Sequence, residues 1–297
     1  MASPELQIVL DMLRASPPVP READWVEQRA GLENLVSLAP PPTDVRFTPT
    51  AAGGVPAEWV AADGTGSDRA VLYLHGGGYC IGSIRTHRQL ATDLSRAADA
   101  RVLLIDYRLA PEHPFPAGLE DAVTAYRYML DSGVEPARAA IAGDSAGGGL
   151  TAATLLALCD RHFALPAAGV CLSAWVDLTL SGASIETKDS VDPIVHRDGL
   201  DRMARAYLGG ADPRTPLASP LFADLAGLPP LLIHVGSAET LLDDSTRFAE
   251  RARAAGVDVT LEVWDDMVHV WHAFTFILPE ARQALERIGA FLRQRWT

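Results

Sequence analysis

Short runs of consecutive apolar residues alternate with amphipathic helical patterns along most of this chain. From Val71 onward, six runs are typical of buried strands: VLYLH, RVLLIDY, AAIAG, GVCLSAW, LLIHVG and VTLEVW. Helices are predicted near residues 87–98, 118–130, 146–161, 245–255 and 279–295, where apolar positions recur every three or four residues. Because parallel strands need crossover connections, this alternation predicts a mostly parallel sheet with helices on both faces.

Two regions depart from this rhythm. Residues 4–35 form amphipathic helical patterns interrupted by SPPVP, and VRFTPT and AEWVAA then predict an antiparallel pair of strands joined through Gly53 and Gly54. Residues 178–228 lack a strong strand signal and contain one helical patch around residues 198–207. We expect this insertion and the N-terminal helices to form a lid.

Composition and charge exclude several classes of function. The 297 residues carry a formal net charge of −13, which argues against a nucleic-acid partner. We expect no membrane partner either, because no apolar run approaches the ~20 residues of a membrane span. The N-terminus lacks the pattern of a signal peptide. The three cysteines, Cys80, Cys159 and Cys171, suggest neither a disulfide framework nor a metal site. A reducing compartment, the cytoplasm, is therefore expected.

A nucleophile is predicted where the strand AAIAG meets a helix. The sequence GDSAG places Ser145 between Gly143 and Gly147, and a serine in that context lies on a sharp turn above the carboxyl end of the sheet. The turn also brings the serine to a helix N-terminus, where amides stabilise negative charge. The alternative is a glycine-rich turn with an incidental serine.

The glycine run after the strand VLYLH suits an oxyanion hole. A serine that attacks a carbonyl needs N–H donors for the oxyanion, and glycines let the backbone approach the substrate closely. Gly76, Gly77 and Ala146 are the predicted donors. The run matches neither a Walker A loop nor a dinucleotide-binding fingerprint. His75 is expected to fix the loop rather than to act as a base.

Three separated motifs, HGGGY, DYRLAPEHPFPA and GDSAGG, together resemble the bacterial carboxylesterases of the hormone-sensitive-lipase branch (family IV) of the α/β-hydrolases. The resemblance implies the α/β-hydrolase fold, with an eight-stranded sheet and a helical cap. It implies cap helices in residues 1–40, a catalytic domain in residues 41–297 and a cap insertion at about 178–228. It also implies hydrolysis of short- to medium-chain acyl esters without a cofactor or metal, through a serine, an acid and a histidine in that order. Asp106, Arg108 and Glu112 would be structural.

The base must follow Ser145, and VTLEVWDDMVHVWHAF offers two histidines. The resemblance implies a base that follows a turn containing Met and precedes an apolar-aromatic run. His269 matches this pattern, with Met267 before it and Val270 after it. His272 is expected to begin the next helix. His234 lies inside the strand LLIHVG and is expected to be a core residue.

The acid has two candidates. The family pattern Asp-Pro-Leu-x-Asp is replaced here by Glu239-Thr240-Leu241-Leu242-Asp243. Glu239 precedes His269 by 30 residues, the separation expected from the resemblance, and a glutamate can orient an imidazole. Asp243 is the alternative, as the second acidic position of the pattern. Asp244 is expected to be a solvated charge.

Further expectations concern specificity and assembly. Trp25, Tyr79, Trp175 and Trp271 are candidates for lining the substrate pocket. An amidase or drug-ester hydrolase with the same triad, and a non-catalytic small-molecule receptor, are the alternative functions. VTLEVW would be an edge strand, and edge strands invite pairing. A homodimer through this strand and the last helix is therefore a hypothesis.

Overall fold

Eight strands join in one sheet in the computed structural model, which describes residues 3–15, 23–36 and 42–296. The strand order is β1-β2-β4-β3-β5-β6-β7-β8. Pairs β1–β2 and β2–β4 are antiparallel, and all other pairs are parallel. The strands are β1 (Val45–Ala52), β2 (Val55–Ala62), β3 (Ala70–Leu74), β4 (Arg101–Ile105), β5 (Ala139–Asp144), β6 (Ala168–Leu172), β7 (Leu231–Gly236) and β8 (Val259–Trp264). The predicted eight-stranded, mostly parallel sheet is confirmed.

Helices follow the strands as the periodicity predicts. Within the described residues they are α1 (Glu5–Ala15), α2 (Trp25–Val36), α3 (Ile84–Ala98), α4 (Ala117–Asp131), α5 (Ala146–Asp160), α6 (Ser184–Thr187), α7 (Arg197–Leu208), α8 (Leu242–Ala254) and α9 (Pro279–Arg295). None of these helices is both long and apolar enough to cross a membrane. The SPPVP interruption and the predicted boundary between residues 40 and 41 lie outside the described residues.

Strand periodicity divides the core between the two faces of the sheet. Because side chains alternate along a strand, Val71 and Tyr73 of β3 pack with α3 and α9, whereas Leu72 and Leu74 pack in the larger core on the opposite face. All five residues of β3 are buried. Burial on both faces explains why this strand is a continuous apolar run rather than an alternating one.

The N-terminal helices contact loops that follow strands of the sheet. Leu6 and Val9 of α1 pack with Met267 and Trp271, which follow β8. Arg29 of α2 donates to the carbonyl of Cys80 (2.8 Å) and pairs with Glu112 (2.7 Å). These contacts join both helices to loops near the predicted site.

The insertion between β6 and β7 contains α6 and α7 and no strand. It also carries the only lysine of the chain, Lys188, directly after α6. Met203 of α7 approaches the glycine run so closely that a Cβ added at Gly78 would lie 2.0 Å from its sulfur. The insertion therefore packs against the loop that follows β3.

Candidate active site

Ser145 lies on a strained turn between β5 and α5. Its backbone φ of 55° and ψ of −122° fall outside the regions that non-glycine residues ordinarily adopt. The turn is held by the Ser145 amide, which donates to the carbonyl of Leu172 (2.8 Å), and by the amide of Trp175, which donates to the Ser145 carbonyl (3.0 Å). Ser145 is half-buried, whereas Asp144 and Ala146 are buried. The turn thus leaves the hydroxyl-bearing residue partly exposed.

The glycines on either side of Ser145 are sterically required. A Cβ at Gly143 would lie 2.3 Å from the carbonyl oxygen of Gly147, and a Cβ at Gly147 would lie 1.9 Å from that of Leu74. Both contacts are with backbone atoms, which cannot rotate away. The G-x-S-x-G spacing is therefore a consequence of packing between β5, α5 and β3.

The structure brings His269 and Glu239 together. Nδ1 of His269 lies 2.9 Å from Oε2 of Glu239, and both residues are buried. Glu239 Oε1 also accepts from the amide of Gly236 (3.2 Å). Burial disfavours the charged form of His269, but its bond to Glu239 and the negative charges nearby outweigh burial and raise its pKa above the ordinary value.

The two neighbouring aspartates contact other groups. Asp243 Oδ2 accepts from the amide of Ser184 (2.9 Å) in α6. Asp244 is fully buried, and its Oδ1 accepts from the amides of Val176 (3.0 Å) and Asp177 (2.9 Å). The prediction that Asp244 is solvated is wrong, because its carboxylate caps two backbone amides inside the protein.

The amide of Gly76 is already engaged. It donates to Asp144 Oδ1 (3.1 Å) and lies 3.3 Å from His87 Nε2. Asp144 also accepts from the hydroxyl of Tyr73 (2.8 Å). The prediction of Gly76 as an oxyanion donor is therefore corrected, since its N–H points into a buried polar network. Ala146 is the first residue of α5, so its N–H has no acceptor within the helix.

Comparisons with known proteins agree with this architecture. The profile of a family described as alpha/beta hydrolase fold matches residues 71–273, more than half of the chain. The chain belongs to the alpha/beta hydrolase fold family. An acetyl-hydrolase of Streptomyces hygroscopicus is 47% identical, over 99% of this chain and 97% of the relative. An esterase of Acinetobacter venetianus is 36% identical, over 89% of this chain and 87% of the relative.

Solved structures specify the branch of the family. An esterase from the bacterial hormone-sensitive lipase family matches with a TM-score of 0.97 and 51% identity, over all of both chains. An esterase/lipase from an uncultured bacterium matches with a TM-score of 0.95 and 48% identity, over 99% of each chain. The sequence-based assignment is confirmed: this alpha/beta hydrolase is a hormone-sensitive-lipase-like carboxylesterase.

The other buried histidines of the esterase are unsuited to act as bases. His75 stacks on Tyr107 (4.3 Å between centroids) and contacts the carbonyl of Gly76. His234 lies in β7, as predicted for a core residue, and its Nδ1 is 3.3 Å from Nε2 of His272. Burial lowers the pKa of both His75 and His234 to about 3 and the pKa of His272 well below its ordinary value.

Some residues of the site escaped sequence reasoning. Ser173 follows β6 with a φ of 47°, and its Oγ accepts from the amide of Val270 (3.1 Å), next to His269. Asp192 of the insertion accepts from the amide of Thr240 (2.9 Å), next to Glu239. The position of Ser173 at a strand end is a usable signal. Asp192 gave none, because its partner is distant in sequence.

The candidate pocket aromatics are mostly core residues. Trp175 and Trp271 are fully buried, and Tyr79 stacks on Tyr207 with 3.8 Å between ring centroids. Trp25 is half-buried under the guanidinium of Arg202 (4.1 Å). Among residues 3–15, 23–36 and 42–296, no group of three or more His, Cys, Asp or Glu side chains is arranged to hold a metal ion.

The charged residues of the segment DYRLAPEHPFPA bond to protein groups. Asp106 Oδ1 accepts from the amide of Ile84 (2.6 Å), and Arg108 pairs with Asp121 (2.8 Å). Glu112 pairs with Arg29, as described above. The predicted structural role agrees with these contacts, and all three partners lie on helices and outside the segment.

Proposed function

We propose that this carboxylesterase hydrolyses short- to medium-chain acyl esters through an acyl-enzyme on Ser145, with His269 as general base and Glu239 as the acid that orients it. The observation that carries the proposal is the buried 2.9 Å bond between His269 Nδ1 and Glu239 Oε2. This bond leaves Nε2 of His269 as the nitrogen for proton transfer. The acetyl-hydrolase name of a relative 47% identical to this chain supports a short acyl group.

The steps follow from the roles of these groups. His269 Nε2 accepts the proton of Ser145 while Oγ bonds to the ester carbonyl carbon, and the carbonyl oxygen becomes an oxyanion. The oxyanion collapses, the bond to the alkoxy oxygen breaks, and His269 donates the proton to the leaving alcohol. Water then attacks the acyl-serine with His269 again accepting a proton, which returns to Ser145 as the carboxylic acid leaves. Glu239 stabilises the transient imidazolium.

The oxyanion donors that we propose are the amides of Gly77, Gly78 and Ala146. Gly78 replaces Gly76, whose N–H donates to Asp144. In this assignment the carboxylate of Asp144 accepts from the Gly76 amide and so fixes the position of the glycine loop. One such donor is typically worth ~3 kcal/mol of the barrier.

A cap is proposed from the N-terminal helices and residues 178–228, in keeping with the domain boundaries inferred from the sequence. Its support lies in contacts with three site loops. Met203 abuts Gly78 in the glycine loop, Ser184 bonds to Asp243 in the acid loop, and α1 packs against Met267 beside His269. A cap so placed would cover the substrate at the carboxyl ends of the strands.

Covalent labelling tests the proposed mechanism. A fluorophosphonate probe should add one adduct to the wild-type protein at Ser145, and Ser145→Ala should remain unlabelled. Mass spectrometry of enzyme quenched during turnover of p-nitrophenyl acetate should find an acetyl group on the same peptide. An actively hydrolysing sample with unmodified Ser145 would overturn the mechanism, whatever the substrate class.

A homodimer through β8 and α9 is part of the proposal. β8 is a terminal strand of the sheet, so one side of its backbone pairs with no strand in the part of the chain that the structure describes, and Val263 is 44% exposed. Light scattering at micromolar concentration is expected to give the mass of two chains, and Val263→Glu should give that of one, because it would place a charge at the pairing edge. A wild-type monomer would contradict this assembly.

A cytoplasmic location completes the proposal. Cys80, Cys159 and Cys171 are all free thiols in the structure, which fits a reducing compartment. Burial raises the pKa of the Cys80 thiol to about 12, so this thiol beside the glycine loop is unreactive at neutral pH.

A further inference from the structure

The insertion holds the residue that follows Glu239 by both of its backbone polar groups. The amide of Thr240 donates to Asp192 Oδ2 (2.9 Å), and the carbonyl of Thr240 accepts from the hydroxyl of Ser184 (2.6 Å). The donor and the acceptor of each bond are buried, and Glu239 and Thr240 have no solvent-accessible surface. The backbone of the acid loop is thus fixed by two side chains that lie 48 and 56 residues earlier in the chain.

Asp192 is itself rigidly placed. Its Oδ1 accepts from the amides of Ile194 (2.9 Å) and Val195 (3.0 Å), which closes a turn within the insertion. Its Oδ2 also lies 3.3 Å from the hydroxyl of Thr240. The residue is 2% exposed, so these N–H and O–H donors of the protein surround its carboxylate. One carboxylate therefore links a turn of the insertion to the acid loop.

The charge of Asp192 also acts on the base. The charged groups that face His269 are the carboxylates of Glu239, Asp192 and Asp144, and all three raise the pKa of His269. His272, which packs nearby, stays neutral because burial lowers its pKa. Asp243 bonds to the same insertion, but through the Ser184 amide rather than through Thr240.

We propose that Asp192 is a positioning residue for the esterase reaction, through which the insertion holds the acid loop and orients Glu239 towards His269. This inference rests on the proposed roles of Glu239 and His269. As a consequence, packing of the insertion against the acid loop and activation of His269 are coupled, because the Asp192 carboxylate takes part in both. An insertion that lifts from the sheet removes a backbone restraint from Glu239 and a negative charge from His269 together.

The pH dependence of kcat/KM for p-nitrophenyl acetate in Asp192→Asn tests this inference. The amide oxygen can still accept from the turn amides, but its NH2 group faces the Thr240 N–H and the charge is lost. We expect kcat to fall roughly 10-fold or more because Glu239 is less well held, with little change in KM. The acid limb, which reports His269 in the free enzyme, should move to lower pH, since removal of a negative charge favours the neutral imidazole.

Asp243→Asn is the matched control. It also neutralises an aspartate that bonds to the insertion, at the Ser184 amide, but the acid limb should stay at the wild-type pH. Equal losses of activity in the two variants with an unmoved limb would overturn the inference and leave Asp192 a purely structural residue. A shift of the limb in Asp192→Asn alone would support it.

Two further measurements keep the test decisive. If Asp192→Asn does not fold, Asp192→Ser retains a hydroxyl acceptor for the turn amides and removes the same charge, so the same shift is expected. The variant His269→Ala distinguishes a failure of the proposed function from a failure of the role of Asp192. Wild-type turnover in His269→Ala would refute the proposed function itself, whereas an inactive His269→Ala with an unshifted Asp192→Asn profile would refute only the role of Asp192.

Discussion

Glu239→Ala is expected to lower kcat about 10³-fold or more while the protein still folds. The physical reason is that Nδ1 of His269 loses its acceptor, Glu239 Oε2 at 2.9 Å, so the imidazole is no longer held in the tautomer that presents a basic Nε2. The imidazolium formed during the attack also loses its counter-charge. Initial rates on p-nitrophenyl acetate, with circular dichroism to verify folding, measure this loss.

Asp243→Ala provides the comparison for Glu239→Ala. This carboxylate bonds to the Ser184 amide in the insertion, so its removal should reduce kcat less than about tenfold. The opposite ranking, with Asp243→Ala inactive and Glu239→Ala near the wild-type rate, would move the acid role to Asp243. That result would leave the reaction class untouched, because Ser145 and His269 would keep their roles.

Gly147→Ala is expected to cost about 3 kcal/mol or more of folding free energy, or to prevent accumulation of folded protein. The added Cβ would lie 1.9 Å from the carbonyl oxygen of Leu74 and 2.6 Å from that of His75. Neither oxygen can move without separating α5 from β3, the strand that leads into the glycine loop. Denaturant unfolding followed by circular dichroism measures the change.

Gly199→Ala is the control for this steric effect. Gly199 also lies in a helix, α7, but beyond the neighbouring backbone of that helix no atom of the described residues lies within 4 Å of the place its Cβ would occupy. Alanine there should stabilise the protein by about 0.5–1 kcal/mol, since it restricts the unfolded chain and favours the helix. If both substitutions changed stability equally, the contact at Gly147 would not be the reason for that glycine.

The sheet and the helices could be predicted because buried positions recur along the sequence with the period of a strand or a helix. The apolar run VLYLH predicts β3, which spans Ala70–Leu74 and is buried at every position in the structure. The glycines of G-x-S-x-G reflect a steric requirement that any larger residue would violate. His269 and Glu239 could be singled out by their order and separation. These features depend on local sequence or on one well-defined distance along the chain.

Other features could not be predicted, because their causes are contacts between distant segments. Asp244 begins a helix in the sequence, which suggests a solvated charge, yet the loop after β6 folds onto it and supplies two amides. The three glycines after His75 look equivalent, and only the buried carboxylate of Asp144 shows that the Gly76 amide is used. The sequence around an amide or a carboxylate does not indicate which distant group will be its hydrogen-bond partner in the folded protein.

The insertion contains the chain's only lysine, and this fact has a practical use. Lys188 follows α6 directly and is half-buried rather than enclosed, and its carbonyl accepts from the amides of Val191 and Asp192. The remaining basic side chains apart from histidine are arginines, which do not react with acylating dyes. The ε-amine of Lys188 is therefore the only side-chain amine of the sequence that such dyes acylate. A fluorophore on it, separated from any label on the terminal α-amine, would report when that part of the molecule rearranges.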